Sequence, residues 1–423
     1  MITSLLKLTL RQKITYSILF LSVICYLAVE AGGTGDFHIY MSASADLFHG
    51  ENIYQKLYGT GFHYLYSLFF AIILYPFTFL PFYFVKLAWL LLNAYLLYRT
   101  FRILFSYFRA DTLSARSRWL FYALTLIFAA RFIYENFHYG QVTILMLFCC
   151  VQGIHSIFYG ERWWWGCILI ALGINIKLLP VVLIPYLIYR GKFKAAALII
   201  LTDVVLWLVP VLCIGIEKNN FLLSEWWHIM NPSNTEHVLD VSERSFHSLT
   251  TLLSTLFVKN VPDDYALPLR RNLADVSIET LHMIILAVRL ILVAGTAYFL
   301  RTWPFREATS KSFQFRELAY ILALVPLIFP HQQHYAFLFI VPAAMFVWFD
   351  LISQYKLMSM VKRWFLIIGM SITYLCCNLK LILGGFNPYY EHYKILTYGA
   401  LLLLILLAST PSAVRRSNAL QAS

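Results

Sequence analysis

Runs of about twenty apolar residues follow one another along almost the whole chain, separated by short gaps that hold most of the charge. Such a succession has few solutions. In water those runs could not all be hidden in one core, whereas in a bilayer each satisfies its own backbone as a helix and lipid solvates its side chains. Composition agrees: 60% of the 423 residues are hydrophobic and 13% are charged, against about 25% charged in a soluble domain. The expected fold class is all-α: a polytopic transmembrane helical bundle of about 11 to 13 spans, forming a single domain over residues 1–423. The first run, Ile14 to Val29, lacks a small-residue cleavage site and follows Lys7, Arg11 and Lys13, which predicts a retained span. The seven cysteines fall in apolar runs with no metal-ligand or disulfide spacing.

The net charge of +12 suggests nucleic-acid binding only until its distribution is read. Basic residues sit in the short gaps, as in Arg190, Lys192 and Lys194 or Lys356, Lys362 and Arg363. The long segment 216–279 instead holds nine acids against five Lys and Arg. This is the positive-inside pattern. It places the basic gaps in the cytoplasm, the gap from Arg99 to Arg118 excepted if 65–81 and 83–105 both cross, and puts the loops 32–64 and 216–279, with the segments around 134–141, 331–335 and 384–393, on the outer face of a cell membrane. Membrane lipids are the expected surroundings, and nucleic acid is not an expected partner. No nucleotide-binding loop is present.

Three outer segments carry groups suited to chemistry. In the first loop Phe37, Tyr40, Met41, Leu47 and Phe48 recur at helical spacing, predicting an amphipathic helix at the membrane interface. Asp36 opens it. A carboxylate there serves as a helix N-cap, as a general base for a hydroxyl nucleophile, or as both. In FPHQQHY, His331 and His334 are three apart at the end of a span, able to relay protons or hold a phosphate. With no third ligand nearby, two histidines make a poor metal site, so no metal and no cofactor are expected. Lys177 lies inside an apolar run just before Pro180, about 21 Å up a helix that begins at Trp163. Snorkelling accounts for such a lysine, and so does a functional site at depth. The run 163–189 is expected to break at Pro180. Arg131, Glu135 and Asn136 mark another outer span end, and Arg244 a further one.

At these residues the chain resembles the polyprenol-phosphate-mannose-dependent α-mannosyltransferases, membrane enzymes of the GT-C glycosyltransferase fold. The likeness starts with Asp36, Phe37, Tyr40, Ala43, Gly50 and Tyr54. It continues through Gly140-Gln141-Val142-Thr143 and through Gly173 to Pro180 with Lys177, followed by the basic turn YRGKFKA. It ends with His247-Ser248-Leu249 and with Phe329 to His334. These elements stand in the family's order. Thr143, His247 and the Gln332-Gln333 pair replace the pattern's Asn, Gln and Ser-Trp.

The resemblance implies a GT-C bundle that moves a hexose, mannose foremost, from a polyprenyl-phosphate sugar to a glycan or glycolipid acceptor at the outer face. It implies inversion of configuration and Asp36 as catalytic base. Lys177, His331, His334, Arg131 and Arg244 are the cations available to the departing phosphate, and Gln141 and Tyr40 complete the expected substrate-binding set. The alternative is a transporter or lipid flippase with a cationic outer cavity.

Overall fold

The structure is a computed structural model that describes residues 9–410 except 60, 109, 232–237, 242–244, 260, 262, 264, 301, 302 and 307–309. Among the described residues nearly every element is a helix. The sheet is a hairpin that pairs Leu57 with His63 and Tyr58 with Phe62. The first helix, Leu10–Ala31, begins at a capping box: Thr9 Oγ1 accepts from the Gln12 amide, and the Gln12 side chain accepts from the Thr9 amide.

Among the described residues six helices are long and apolar enough to cross a membrane: Gln12–Ala31, Ala115–Tyr139, Phe193–Ile214, Ile278–Leu300, His334–Ser353 and Met360–Leu381. Gly384–His392 and Ile395–Ser409, bent by 67°, make a seventh if they count as one span. Several present bare apolar faces. Phe20 is 65% exposed, Leu201 62% and Ile291 67%. Water does not tolerate continuous surfaces of that kind, and lipid does. The protein is a multi-pass, all-α membrane bundle.

The tally is smaller than the 11 to 13 crossings the apolar runs suggest, in part because several runs fold as short helices: Leu68–Phe79, Thr143–Tyr159, Trp163–Ile176 and Leu179–Tyr189. Proline accounts for two of these breaks. Pro76 lacks an amide hydrogen, and the helix Leu68–Leu74 passes at that point into the tighter turn Tyr75–Phe79. The run 163–189 breaks as expected: Trp163–Ile176 stops, Lys177 is extended at φ −154° and ψ 126°, and a turn with Pro180 leads into Leu183–Tyr189. Lys177 thus stands at an unwound point of the bundle.

The first-loop helix runs Gly35–His49, and its apolar face meets protein, with Phe37, Tyr40, Met41 and Leu47 buried. Phe48 stacks on Tyr75 at 3.7 Å between centroids. Two glycines lock this helix to the end of Ala115–Tyr139. Gly35 has φ +59°, and a Cβ there would lie 2.6 Å from the Tyr139 carbonyl oxygen. Gly140 has φ +68°, and a Cβ there would lie 2.9 Å from Phe37 Cβ. Only residues without a side chain allow both approaches. Asp36, between Gly35 and Phe37, is thereby set against Gln141, the residue after Gly140. Trp89 Nε1 fastens the same corner by donating to the Gly140 carbonyl at 2.9 Å.

At the bundle's centre Lys311–Ile328 is buried along almost its whole length. Glu317 on this helix pairs with Arg190, which follows Leu183–Tyr189, and both side chains are fully enclosed. Arg190 Nε donates to Glu317 Oε2 at 3.0 Å, Tyr186 donates to the same oxygen at 3.1 Å, and Arg190 Nη1 donates to the Arg306 carbonyl at 3.0 Å.

Candidate functional site

Asp36 sits in the first turn of its helix, and its side chain is half-buried. The N-cap is Thr34, so Asp36 is not the capping residue. Its carboxylate accepts a hydrogen bond from Gln141 Nε2. Gln141 Oε1 in turn accepts from the Tyr40 hydroxyl at 3.1 Å, and Tyr40 and Tyr66 hydroxyls lie 2.9 Å apart. A phenol has one proton to give, so while Tyr40 donates to Gln141 the Tyr66 hydroxyl donates to Tyr40. The Lys177 ammonium stands over the Tyr66 ring, 5.6 Å from its centroid, and its charge acts on Asp36. Burial pushes the Asp36 pKa up to about 6, against the Gln141 hydrogen bond and the Lys177 charge, which favour the ionised form. A carboxylate so tuned is ionised at neutral pH and more basic than an exposed aspartate.

Residues 57 and 144 positions apart in sequence meet in a second cluster. Glu391 Oε1, His334 Nε2 and Lys380 Nζ form a triangle with sides of 2.9, 2.8 and 2.8 Å. His247 Nε2 lies 2.9 Å from the other Glu391 oxygen. His247, His334 and Glu391 are buried, and their donor atoms lie within 4.8 Å of one another, the spacing of a three-ligand metal site. Here Lys380 already brings a cation within hydrogen-bonding distance of two of the three. The Tyr139 hydroxyl lies close enough to Asp36 and to Glu391 to feel the charge of each, and its ring lies 6.2 Å from that of Tyr335.

The long loop is stitched to the same corner. Phe246 and Gln333 form an antiparallel bridge, and the His247 amide donates to the Gln332 carbonyl at 2.9 Å. Asp240 Oδ1 lies 2.9 Å from both the amide and Nδ1 of His331, and its other oxygen accepts from Ser248 and from Thr251. Burial pushes the Asp240 carboxyl up, but His331, Ser248 and Thr251 outweigh it and hold it below the usual carboxylate range.

Of the residues singled out from sequence, Asp36, Tyr40, Gln141 and Lys177 come together. His334 enters the second cluster, and His331 pairs with Asp240. Arg131 differs from its expected place facing a substrate. Its side chain is fully enclosed, with Nε donating to Glu135 at 3.0 Å and Nη1 to the Tyr390 hydroxyl at 2.8 Å and the Cys377 carbonyl at 2.5 Å. Arg244 lies outside the described residues. Sequence reasoning passed over Tyr66, Lys380 and Glu391. Glu391 was visible only as the single acid of GGFNPYYEHY, and Lys380 only as a charge near the end of an apolar run.

Comparison with known proteins bears on what such a corner does. A curated relative from Mycobacterium tuberculosis (strain CDC 1551 / Oshkosh) is named polyprenol-phosphate-mannose-dependent alpha-(1-2)-phosphatidylinositol pentamannoside mannosyltransferase. It is 24% identical over 206 residues, 46% of this chain and 46% of that protein, so the chain spans less than half of this relative's length. No solved structure matches the chain. The model of glycosyltransferase family 87 matches residues 64–330, more than half of the chain, a stretch that holds Gln141, Lys177 and His247. The chain is a membrane glycosyltransferase and belongs to glycosyltransferase family 87.

Proposed function

We propose that the protein moves a hexose, mannose foremost, from a polyprenyl-phosphate sugar to a glycan or glycolipid acceptor at the outer face of the membrane. Asp36 is the general base and the configuration inverts. The observation that carries this reading is the Asp36 carboxylate, fixed by Gln141 beside the Lys177 ammonium, in a chain of this family. The activity for which the mycobacterial relative is named supports the donor and the kind of acceptor, and the positive-inside pattern supports the face.

The acceptor hydroxyl attacks the anomeric carbon from the side opposite the lipid phosphate. A carbon–oxygen bond to the acceptor forms as the bond to the phosphate oxygen breaks, and the electron pair leaves with the phosphate. Asp36 takes the hydroxyl proton in the transition state, and later releases it to solvent. Lys177 is proposed to face the charge that grows on the phosphate, and His334, enclosed against Glu391, to support the site from behind. His331, committed to Asp240, is proposed to shape the loop that covers the site, and Tyr40 to orient Gln141.

A pH–rate profile with purified protein in lipid nanodiscs tests this reading. A protonated acid cannot accept the proton. Transfer is therefore expected to hold above about pH 6 and to fall as pH drops through the Asp36 pKa of about 6, by about tenfold per unit below it. The product should carry the anomeric configuration opposite to the donor's. A rate flat from about pH 5 to 8, or retained configuration, contradicts the base mechanism. Movement of the donor lipid between leaflets with no covalent product favours the transporter reading.

A further inference from the structure

We infer that Lys380, held by Glu391 and His334, receives the donor's lipid phosphate, so that an ammonium of the chain acts where other enzymes place a divalent ion. The inference deepens the transfer reading above and rests on it. Three observations point the same way. An ammonium has three N–H groups, and the triangle with Glu391 and His334 uses at most two of them. The side chain is 27% exposed, whereas the other members of its cluster are almost fully enclosed, Glu391 and His334 at 3% and His247 at 0%. The remaining donor therefore belongs to the open side.

The helix that leads to Lys380 is the third observation. Along Met360–Asn378 the residues Val361, Trp364, Phe365, Ile368, Ile372 and Leu375 are exposed, one stripe at helical spacing. Leu381 and Ile382 continue it past Lys380, at 54% and 77% exposed. A polyprenyl chain lying along this apolar stripe brings its phosphate to the helix end, where Lys380 stands. Tyr139 lies close enough to Glu391 and to Asp36 to feel the charge of each, so the Lys380 cluster and the base border one region of the protein.

Glu391 aims the ammonium through their 2.8 Å contact, and Lys380 donates to a phosphate oxygen. Lys380 would touch the donor directly.

The test is binding of polyprenyl phosphate, which reports on the phosphate without turnover, with polyprenol as the neutral control and inorganic phosphate as the lipid-free one. Lys380→Met is expected to weaken polyprenyl phosphate binding about tenfold to a hundredfold, the value of one charge-assisted hydrogen bond, and to leave polyprenol binding unchanged. In the unmodified protein, acylation of Lys380 by a lysine-reactive ester should slow with polyprenyl phosphate and not with polyprenol. That measurement needs no variant to fold. Equal phosphate binding by Lys380→Met, or equal acylation with and without the lipid phosphate, overturns the assignment even if sugar transfer itself is found. Protection by inorganic phosphate alone overturns the lipid source.

Discussion

Asp36→Asn is expected to lower sugar transfer by about 10²–10⁴-fold, the range of a general base, while the protein folds as before. Asparagine keeps the side chain's shape, and its Oδ1 can still accept from Gln141 Nε2, the hydrogen bond that fixes Asp36. The helix start depends on Gly35 and Thr34 and not on this carboxylate. A role confined to structure therefore predicts little change in rate. The amide has no basic oxygen for the acceptor's proton, so the catalytic role predicts the large loss. Thermal stability of the variant separates a missing base from a damaged fold. A folded Asp36→Asn protein that keeps more than about a tenth of the rate lies outside the general-base range and contradicts the assignment.

Glu317→Ala should be the most damaging single change to stability, at about 3–5 kcal/mol, the cost of leaving a buried charge without its partner. Arg190 has no exposed surface, and what remains to it is the Arg306 carbonyl and the rings of Tyr189 and Phe313, none of which carries a counter-charge. Arg190→Met combined with Glu317→Leu removes both charges, and such paired replacement in other proteins is close to neutral. The double variant should accordingly recover most of the loss in thermal unfolding in detergent. A double variant as unstable as Glu317→Ala would mean that packing and the bonds to Tyr186 and Arg306, rather than the unpaired charge, set the cost.

These residues also show where sequence stops being informative. Arg190 lies in a basic turn and reads as a solvated topology signal, yet it is enclosed with Glu317, 127 residues away. Arg131 misleads in the same way, since an arginine at a span end looks available and is instead consumed by Glu135, Tyr390 and a carbonyl. A charge between apolar runs has the same appearance whether lipid headgroups or a buried acid neutralise it.

The membrane class was legible because lipid replaces a folded core as the apolar solvent, so each run declares itself without knowledge of its neighbours. Pro180 announced the break beside Lys177 for an equally local reason. Span number was less legible: Leu68–Phe79 is apolar throughout but too short to cross once Pro76 alters its helix.

The Asp36 corner was readable in part because Asp36 with Tyr40 and Gly140 with Gln141 stand in ordered elements of the sequence, whereas the role of Gly35 shows only in its close approach to Tyr139. Nothing comparable marks the second cluster. His247, His334, Lys380 and Glu391 come from four segments, and no local pattern says which acid will meet which histidine.

The central claim, transfer from a lipid phosphate to an acceptor, is tested most directly by giving the purified protein labelled polyprenyl-phosphate mannose and, separately, labelled nucleotide-linked mannose, each with a glycolipid acceptor. The account predicts labelled glycolipid from the polyprenyl-phosphate donor alone, with Asp36→Asn forming almost none. Labelled glycolipid from the nucleotide donor, or none from the polyprenyl-phosphate donor across a panel of hexoses, would contradict it.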